Sequence, residues 1–199
     1  MIDAKLRGLW DRVMRPIGRA LGATGVSPDV ITLLGVSIQA VAAVQILQGE
    51  LLVAGLVGVG AAIADGFDGA VAKAQGRTSR FGALLDSTTD RVTDALFLIP
   101  VVWLYGVAPD VPERDQPWVA AVTLLAFVAG FLVSYVKARA EALGFECKVG
   151  IAERAERVIL ILVGLLFDVL PVTITILAAL SVVTFVHRVV HVRRQPGSV

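Results

Sequence analysis

Cysteine, histidine and charge are all scarce in this chain. The single cysteine, Cys147, excludes an internal disulfide and leaves no redox or zinc framework. The two histidines, His187 and His191, lie four residues apart at a basic helix end, and we interpret them as interfacial residues rather than metal ligands. Charged residues make up only 18% of the sequence, against 56% hydrophobic residues and a mean hydropathy of +0.79. This composition excludes an ordinary soluble domain and predicts an integral membrane protein.

Internal repeats, low-complexity tracts and a second soluble segment are also lacking, so we expect one membrane domain over residues 1–199. Within it, six apolar runs approach the ~20 residues that cross a bilayer as a helix. The fifth run differs from the others because four charged residues occupy its first two turns. The prediction is an all-α bundle of six transmembrane helices within residues 29–191. The runs cover residues 30–47, 51–72, 82–105, 118–136, 153–170 and 172–190.

The N-terminal segment, residues 1–22, is basic and amphipathic. It has no continuous apolar core and no small-residue cleavage site, which argues against a signal peptide. Its Lys and Arg side chains are interleaved with apolar ones such as Leu6, Leu9 and Trp10. This pattern predicts an amphipathic helix lying on an anionic membrane surface, and a flexible basic tail is the alternative.

Positive charge is distributed very unevenly between the two ends of the predicted spans. Every Lys and Arg except Arg114 falls in the N-terminal segment, the even-numbered connections, the span ends beside them or the C-terminal tail. Loops rich in Lys and Arg stay on the cytoplasmic side of a membrane. We therefore expect both chain termini to face the cytoplasm from an inner (plasma) membrane.

Four aspartates lie in the second and third apolar runs. An ionised side chain in hydrocarbon costs from about 2.5 to over 10 kcal/mol, so four together need a compensating partner. Asp65 and Asp68 are three residues apart and share one helix face. Asp86 and Asp90 are four residues apart and share another. We expect the two faces to meet across an antiparallel hairpin, and the simplest partner for such a cluster is a divalent metal.

The acidic cluster suits hard metal ions, although other interpretations stay open. Mg²⁺ and Mn²⁺ take carboxylate and phosphate oxygens, and two ions could bridge a diphosphate. The alternatives are buried polar contacts between helices, the ion pathway of a cation transporter or channel, and a membrane scaffold without catalysis. Against a transporter, the carboxylates cluster at one depth near one face. Asp94 continues the face of Asp86 and Asp90, either supporting the site or packing helices.

The spacing of the acidic residues resembles the motif of the CDP-alcohol phosphotransferases. That motif reads Asp-x2-Asp-Gly-x2-Ala-Arg, then eight residues, then Gly-x3-Asp-x3-Asp, and residues 65–73 and 82–90 match it at every fixed position but one. The exception is Lys73, which replaces Arg and keeps the charge without the bidentate fork. The resemblance implies that Asp65, Asp68 and Asp86 bind metal, and that Asp90 is both a metal ligand and the general base.

The same resemblance implies a nucleotide-linked lipid donor, CDP-diacylglycerol, and its contacts are carried over by position only. Small residues of the motif would leave room for the cytidine, and two hydroxyls could contact the nucleotide. A homodimer is also implied by the resemblance alone. The implied donor contacts are Asp29, Val30, Ile31, Thr32, Gly69, Ala72, Lys73 and Ser79.

A group of basic residues forms a second candidate site near the predicted cytoplasmic face. Individually they fit an ordinary positive girdle facing lipid phosphates. Together they favour an acceptor that is itself anionic, because Arg and Lys bind phosphate through charge-assisted hydrogen bonds. We call these five residues the basic group: Lys137, Arg139, Arg154, Arg157 and Arg188.

Three further stretches narrow the resemblance to one branch of the family. Residues 27–32, 134–141 and 153–157 look like those of actinobacterial phosphatidylinositol phosphate synthases, which join CDP-diacylglycerol to inositol phosphate and release CMP. The basic group is where this resemblance places the phosphate of the acceptor. Phosphatidylglycerophosphate synthases share the aspartate motif and also use a phosphorylated alcohol, so they are the alternative.

Overall fold

The fold is built from helices alone within the described part of the chain. The computed structural model describes residues 14, 16–76, 79–108, 111 and 114–197, and of Lys73 it describes the backbone only. The all-α prediction is therefore confirmed for these residues. Helix α1 is described over residues 16–23. The others are α2 (Pro28–Leu47), α3 (Leu51–Gln75), α4 (Arg80–Gly106), α5 (Pro117–Ala142), α6 (Arg154–Leu166) and α7 (Leu170–Arg193).

Serine side chains fix the starts of the two helices next to the acidic residues. Ser27 caps α2 by accepting a hydrogen bond of 3.3 Å from the Val30 amide, and Pro28 follows in the first turn. Ser79 caps α4 by accepting one of 2.8 Å from the Gly82 amide. Such oxygens satisfy amides that have no partner within the helix. Both helices therefore begin where the sequence supplies a cap.

Within the described residues, four helices are long and apolar enough to cross a membrane, so the protein is membrane-embedded. They are Pro28–Leu47, Leu51–Ala72, Pro117–Ala142 and Leu170–Arg193. Helix α4 has 27 residues but carries the charged acidic face. Helix α6 has only 13 residues and ends at Leu166, four residues before the predicted end. It stops there because the chain turns into α7, with Asp168 at a φ of +54°.

The two helices that carry the aspartates, α3 and α4, share a neighbour, α2. Helix α2 packs extensively against both α3 and α4, whereas α3 and α4 are not an extensively packed pair among the described residues. Helix α5 packs against α4 and α7, and α6 packs against α3 and α7. The acidic faces of α3 and α4 nevertheless meet as predicted, since one carboxylate oxygen each of Asp65, Asp68 and Asp86 lies within 4.8 Å of the others.

Small residues bring α3 and α6 close together. A Cβ atom on Gly55 would lie 2.8 Å from the side chain of Leu166, and one on Gly58 would lie 2.8 Å from the side chain of Leu162. Glycine at such positions lets helix backbones approach closely in a membrane. The start of α6 is thereby held beside the acidic end of α3.

The described part of α1 packs against the end of α3. A Cβ atom on Gly18 would lie 2.7 Å from the carbonyl oxygen of Ala70. The Gln75 amide nitrogen donates hydrogen bonds of 3.2 Å to the Gly22 carbonyl and 3.0 Å to the Val26 carbonyl. Residues 1–13 and 15 lie outside the described residues, so the predicted surface helix over 1–22 stays a prediction.

An ion pair joins two connections at the end of the bundle away from the acidic residues. Arg114 donates two hydrogen bonds to Asp168, one of them 2.8 Å long from Nη2 to Oδ2, and a third of 3.1 Å to the Tyr105 hydroxyl. The hydrogen bonds from Arg114 hold the pKa of Asp168 below its ordinary value. The pair therefore stabilises the folded state only while Asp168 is ionised.

We expect this stabilisation to disappear in acid. It is fully present above the pKa of the unfolded chain, about 3.9, and is lost as the pH falls through the lower folded value. Asp168→Asn suits the comparison because asparagine tolerates positive φ. The difference in thermal unfolding midpoint between wild type and Asp168→Asn should be constant from about pH 7 to about pH 5 and narrow toward about pH 3. A difference in unfolding midpoint that stays constant down to pH 3 would contradict the claim that ionised Asp168 stabilises the fold.

Candidate metal centre

Three of the predicted metal ligands come together between α3 and α4. Asp65 and Asp68 project from α3 and Asp86 from α4, and one carboxylate oxygen of each lies within 4.8 Å of the others. Asp68 is buried, Asp65 is half-buried and Asp86 is exposed, so the cluster opens on one side. Three carboxylate oxygens at this spacing fit a hard divalent cation, which takes oxygen ligands. We call these residues the acidic trio.

Helix α2 positions the buried member of the trio. The Thr32 hydroxyl donates a hydrogen bond of 2.5 Å to Oδ2 of Asp68, and the Gly69 amide donates one of 2.5 Å to Oδ1. Both donors restrain the rotation of the carboxylate. The sequence predicted Thr32 as a donor-lipid contact, whereas its hydroxyl here supports a candidate metal ligand.

Asp90 lies one turn beyond Asp86 and contacts arginines. Its Oδ1 is 2.9 Å from Nε of Arg154, an ion pair without the alignment of a hydrogen bond. Its Oδ2 accepts a hydrogen bond of 3.4 Å from Nη2 of Arg91. Asp90 is not part of the trio within 4.8 Å, so its role as a fourth ligand stays a prediction.

Arg154, the first residue of α6, binds the acidic trio directly. Its Nη1 donates a hydrogen bond of 2.6 Å to Oδ2 of Asp65, and its Nη2 donates one of 3.1 Å to Oδ1. Such bidentate pairs are among the stronger hydrogen-bonded contacts in proteins. The sequence grouped Arg154 with the basic residues and missed its partner, which is 89 residues away along the chain.

Arg157, one turn into α6, is buried against α4. Its Nη2 donates a hydrogen bond of 2.7 Å to Oδ2 of Asp94, and only 4% of its side chain and 8% of that of Asp94 are exposed. Of the two readings of Asp94, helix packing is the one that this contact favours. As an acceptor contact, Arg157 stays a prediction.

Arg188 of α7 is also buried, at 2% exposure, and bonded to the protein. It donates hydrogen bonds of 2.7 Å to the carbonyls of Val149 and Val133 and one of 3.5 Å to Glu153. These contacts hold the connection between α5 and α6 against α7. The other members of the basic group lie near the end of α5, where Lys137 is half-buried and Arg139 is exposed.

The predicted nucleotide contacts lie at the same end of the bundle as the acidic trio, some beside open space and some already hydrogen-bonded within the protein. A Cβ atom on Gly69 would meet nothing within 4 Å, so this position faces open space. The Ser79 hydroxyl oxygen is occupied as the cap of α4. The remaining positions lie in the first turns of α2 or the last turns of α3: Asp29, Val30, Ile31, Ala72 and Lys73.

Sequence comparison identifies the family. Residues 25–192 match the family described as CDP-alcohol phosphatidyltransferase. The chain is 35% identical over 204 residues to a phosphatidylinositol phosphate synthase of Mycolicibacterium smegmatis, covering 96% of this chain and 89% of the relative. It is 34% identical over 194 residues to an archaetidylinositol phosphate synthase of Pyrococcus horikoshii, covering 96% and 97%. The chain therefore belongs to the CDP-alcohol phosphatidyltransferase family, which confirms the resemblance seen in its motif.

Structural comparison extends the similarity to the whole fold. Two crystal structures of the phosphatidylinositol phosphate synthase of Mycobacterium tuberculosis match at 34% identity. The structure with CDP-DAG bound has a TM-score of 0.83, over 94% of this chain and 97% of that chain. The complex with manganese and citrate has a TM-score of 0.82, over 94% and 91%. The manganese in that relative, together with the acidic trio here, supports a divalent metal for this protein.

Breaking the buried Asp94–Arg157 pair should destabilise the bundle strongly. Removing one partner leaves an uncompensated buried charge, which costs about 3 to 5 kcal/mol in comparable pairs. Asp94→Asn and Arg157→Gln should each lower the free energy of unfolding by about that much, and the double variant by less than the sum. Unfolding in mixed micelles measures all three. Glu146→Gln, which breaks an exposed contact with Lys148, is the control and should change the free energy of unfolding little. If the double variant loses as much free energy as the two single variants added together, the two residues do not act as a pair.

Proposed function

We propose that this protein transfers the phosphatidyl group of CDP-diacylglycerol to inositol phosphate, giving phosphatidylinositol phosphate and CMP. The acidic trio with Arg154 beside it carries this proposal, because it places oxygen ligands for metal next to a cation suited to phosphate. The relatives support the choice of acceptor, since one is named phosphatidylinositol phosphate synthase and another archaetidylinositol phosphate synthase. The donor is supported by the relative with CDP-DAG bound.

We propose that the trio and Asp90 hold two divalent ions, Mg²⁺ or Mn²⁺. Bound there, the ions would supply charge neutralisation for the diphosphate and for the departing CMP. The residues themselves support the ligand geometry: Thr32 and the Gly69 amide orient Asp68, and α2 packs against both α3 and α4.

Asp90 is the proposed general base. Its Oδ1 accepts no hydrogen bond from the described residues, which leaves a lone pair for the proton of an inositol hydroxyl. The hydroxyl oxygen then attacks the lipid-side phosphorus of the donor, the bond from that phosphorus to the CMP oxygen breaks, and CMP leaves. A carboxylate suits this role because it accepts the proton within hydrogen-bond reach of the nucleophile.

The substrate contacts are proposed by position. The donor nucleotide would lie near the start of α2 and the end of α3, where Gly69 offers open space and Lys73 offers a positive charge. The donor set is Asp29, Val30, Ile31, Thr32, Gly69, Ala72, Lys73 and Ser79. The acceptor phosphate would bind the basic group, in which Arg154 faces the trio while Arg157 and Arg188 hold the surrounding helices in place.

The proposed setting is the plasma membrane, with six spans and the site open to the cytoplasm. The one-sided distribution of Lys and Arg supports this orientation. In this proposal α4 and α6 would complete the six spans, and residues 1–22 would form the amphipathic surface helix. A homodimer is proposed on the family resemblance.

Replacing the general base should stop the reaction without removing the donor. Asp90→Asn keeps the size of the side chain but cannot take a proton, so we expect CMP release to fall by at least about a hundredfold. Binding of CDP-diacylglycerol in the presence of Mg²⁺ should persist. Glu50→Gln, at an exposed position between α2 and α3, is the control and should retain activity. Activity of Asp90→Asn close to wild type would remove Asp90 as the base.

Acceptor selectivity tests the function itself. Purified protein with CDP-diacylglycerol and Mg²⁺ should release CMP with inositol 3-phosphate and much less with free inositol, glycerol 3-phosphate or no acceptor. The reason is that an anionic acceptor can bind the basic group. Selective release with glycerol 3-phosphate would keep the site chemistry and change the branch of the family. Metal-dependent ion flux without CMP would instead indicate a transporter.

A further inference from the structure

Arg154 occupies the carboxylates that the proposed function gives to metal. Its guanidinium is bonded through two nitrogens to Asp65, and its Nε lies 2.9 Å from Asp90. Asp65 is therefore shared by two sets of contacts, because one of its oxygens also belongs to the acidic trio. A guanidinium and a divalent cation on the same carboxylate repel each other strongly where water is partly excluded. Full binding of one disfavours the other.

The neighbours of Arg154 fix the backbone of α6, so a change of partner involves only the Arg154 side chain. Arg157, one turn further along α6, is buried and bonded to Asp94. Arg188 holds the carbonyl of Val149 in the connection that leads into α6. Both contacts fix the backbone of α6 at its start. Arg154 itself is 30% exposed in its side chain, so of these three arginines it is the one with room to change partners.

We propose that Arg154 is an internal counter-ion which competes with divalent metal for Asp65 and Asp90, and which metal binding releases to receive the phosphate of the acceptor. The proposal rests on the proposed function, since it takes its metal centre and its anionic acceptor from there. It adds a coupling between them. Metal frees the guanidinium for the anion, and the anion, by holding the guanidinium, frees the carboxylates for metal.

Coupling of this kind is reciprocal. If metal binding increases the affinity for the anion by some factor, the anion must increase the affinity for metal by the same factor. Couplings between sites typically fall between about 5-fold and about 150-fold. The effect can therefore be measured as metal affinity alone, without turnover and without the lipid donor.

The test titrates purified full-length protein with Mn²⁺ and follows free Mn²⁺ by electron paramagnetic resonance, with and without inositol 3-phosphate. Wild type should bind Mn²⁺ at least about 5-fold more tightly when inositol 3-phosphate is present. Arg154→Gln should bind Mn²⁺ at least about tenfold more tightly than wild type without the anion, and inositol 3-phosphate should then add nothing. Arg154→Lys keeps the charge but not the bidentate contact, so it should lie between the two.

Arg91→Gln is the matched control. Like Arg154, Arg91 brings a positive charge to Asp90, which it contacts at 3.4 Å. The hydrogen bonds to the trio member Asp65, however, come from Arg154. This variant should keep the effect of inositol 3-phosphate on Mn²⁺ affinity. If Arg154→Gln fails to fold, the intermediate behaviour of Arg154→Lys decides the question.

Three results would overturn the proposal in different ways. Mn²⁺ affinity in Arg154→Gln that equals or falls below that of wild type would exclude competition. An effect of inositol 3-phosphate that persists in Arg154→Gln, or is absent from wild type, would exclude release of the guanidinium to the anion. A wild-type protein that binds no Mn²⁺ would remove the metal centre of the proposed function as well.

Discussion

The structure depends on how carboxylates are accommodated among apolar helices. Five aspartates, Asp65, Asp68, Asp86, Asp90 and Asp94, lie on α3 and α4, where desolvation of a charge is costly. Each of the less exposed ones has a specific partner: Asp65 and Asp90 contact Arg154, Asp94 contacts Arg157, and Asp68 accepts from a hydroxyl and an amide. The two arginines come from adjacent turns of α6. That short helix is therefore held by ion pairs as well as by apolar packing.

Helix α2 has a different part in the same arrangement. It contributes no carboxylate to the trio, yet it packs against both helices that do and supplies the hydroxyl of Thr32. Both helices that carry the trio are thus packed against a third helix. A ligand cluster supported in this way is held by packed secondary structure, which is the more rigid kind of support for a functional site.

Much of the site could be predicted from the sequence because its central information is local. The spacing of Asp65, Asp68 and Asp86 on helix faces predicts that their oxygens converge, and the structure brings them within 4.8 Å. The partners could not be predicted, because Arg154 meets Asp65 from 89 residues away and no local pattern specifies that contact.

Some helix boundaries follow from the local sequence and others do not. Ser27 and Ser79 cap α2 and α4 where the sequence places them. The early end of α6 was missed because apolar residues continue past Leu166 while the backbone turns at Asp168. Hydrophobicity predicts which residues are buried from water, but it does not predict where the chain turns.

The shortness of α6 has a consequence for the surrounding lipid. Its 13 residues extend about 20 Å, whereas the hydrocarbon core of a bilayer is about 30 Å thick. In the proposed topology, a bilayer beside α6 must become thinner or admit water to the charged start of that helix. Either adjustment brings the lipid–water boundary toward the level of Arg154 and the acidic trio. A lipid headgroup and a water-soluble molecule can then meet at one depth without either crossing the membrane.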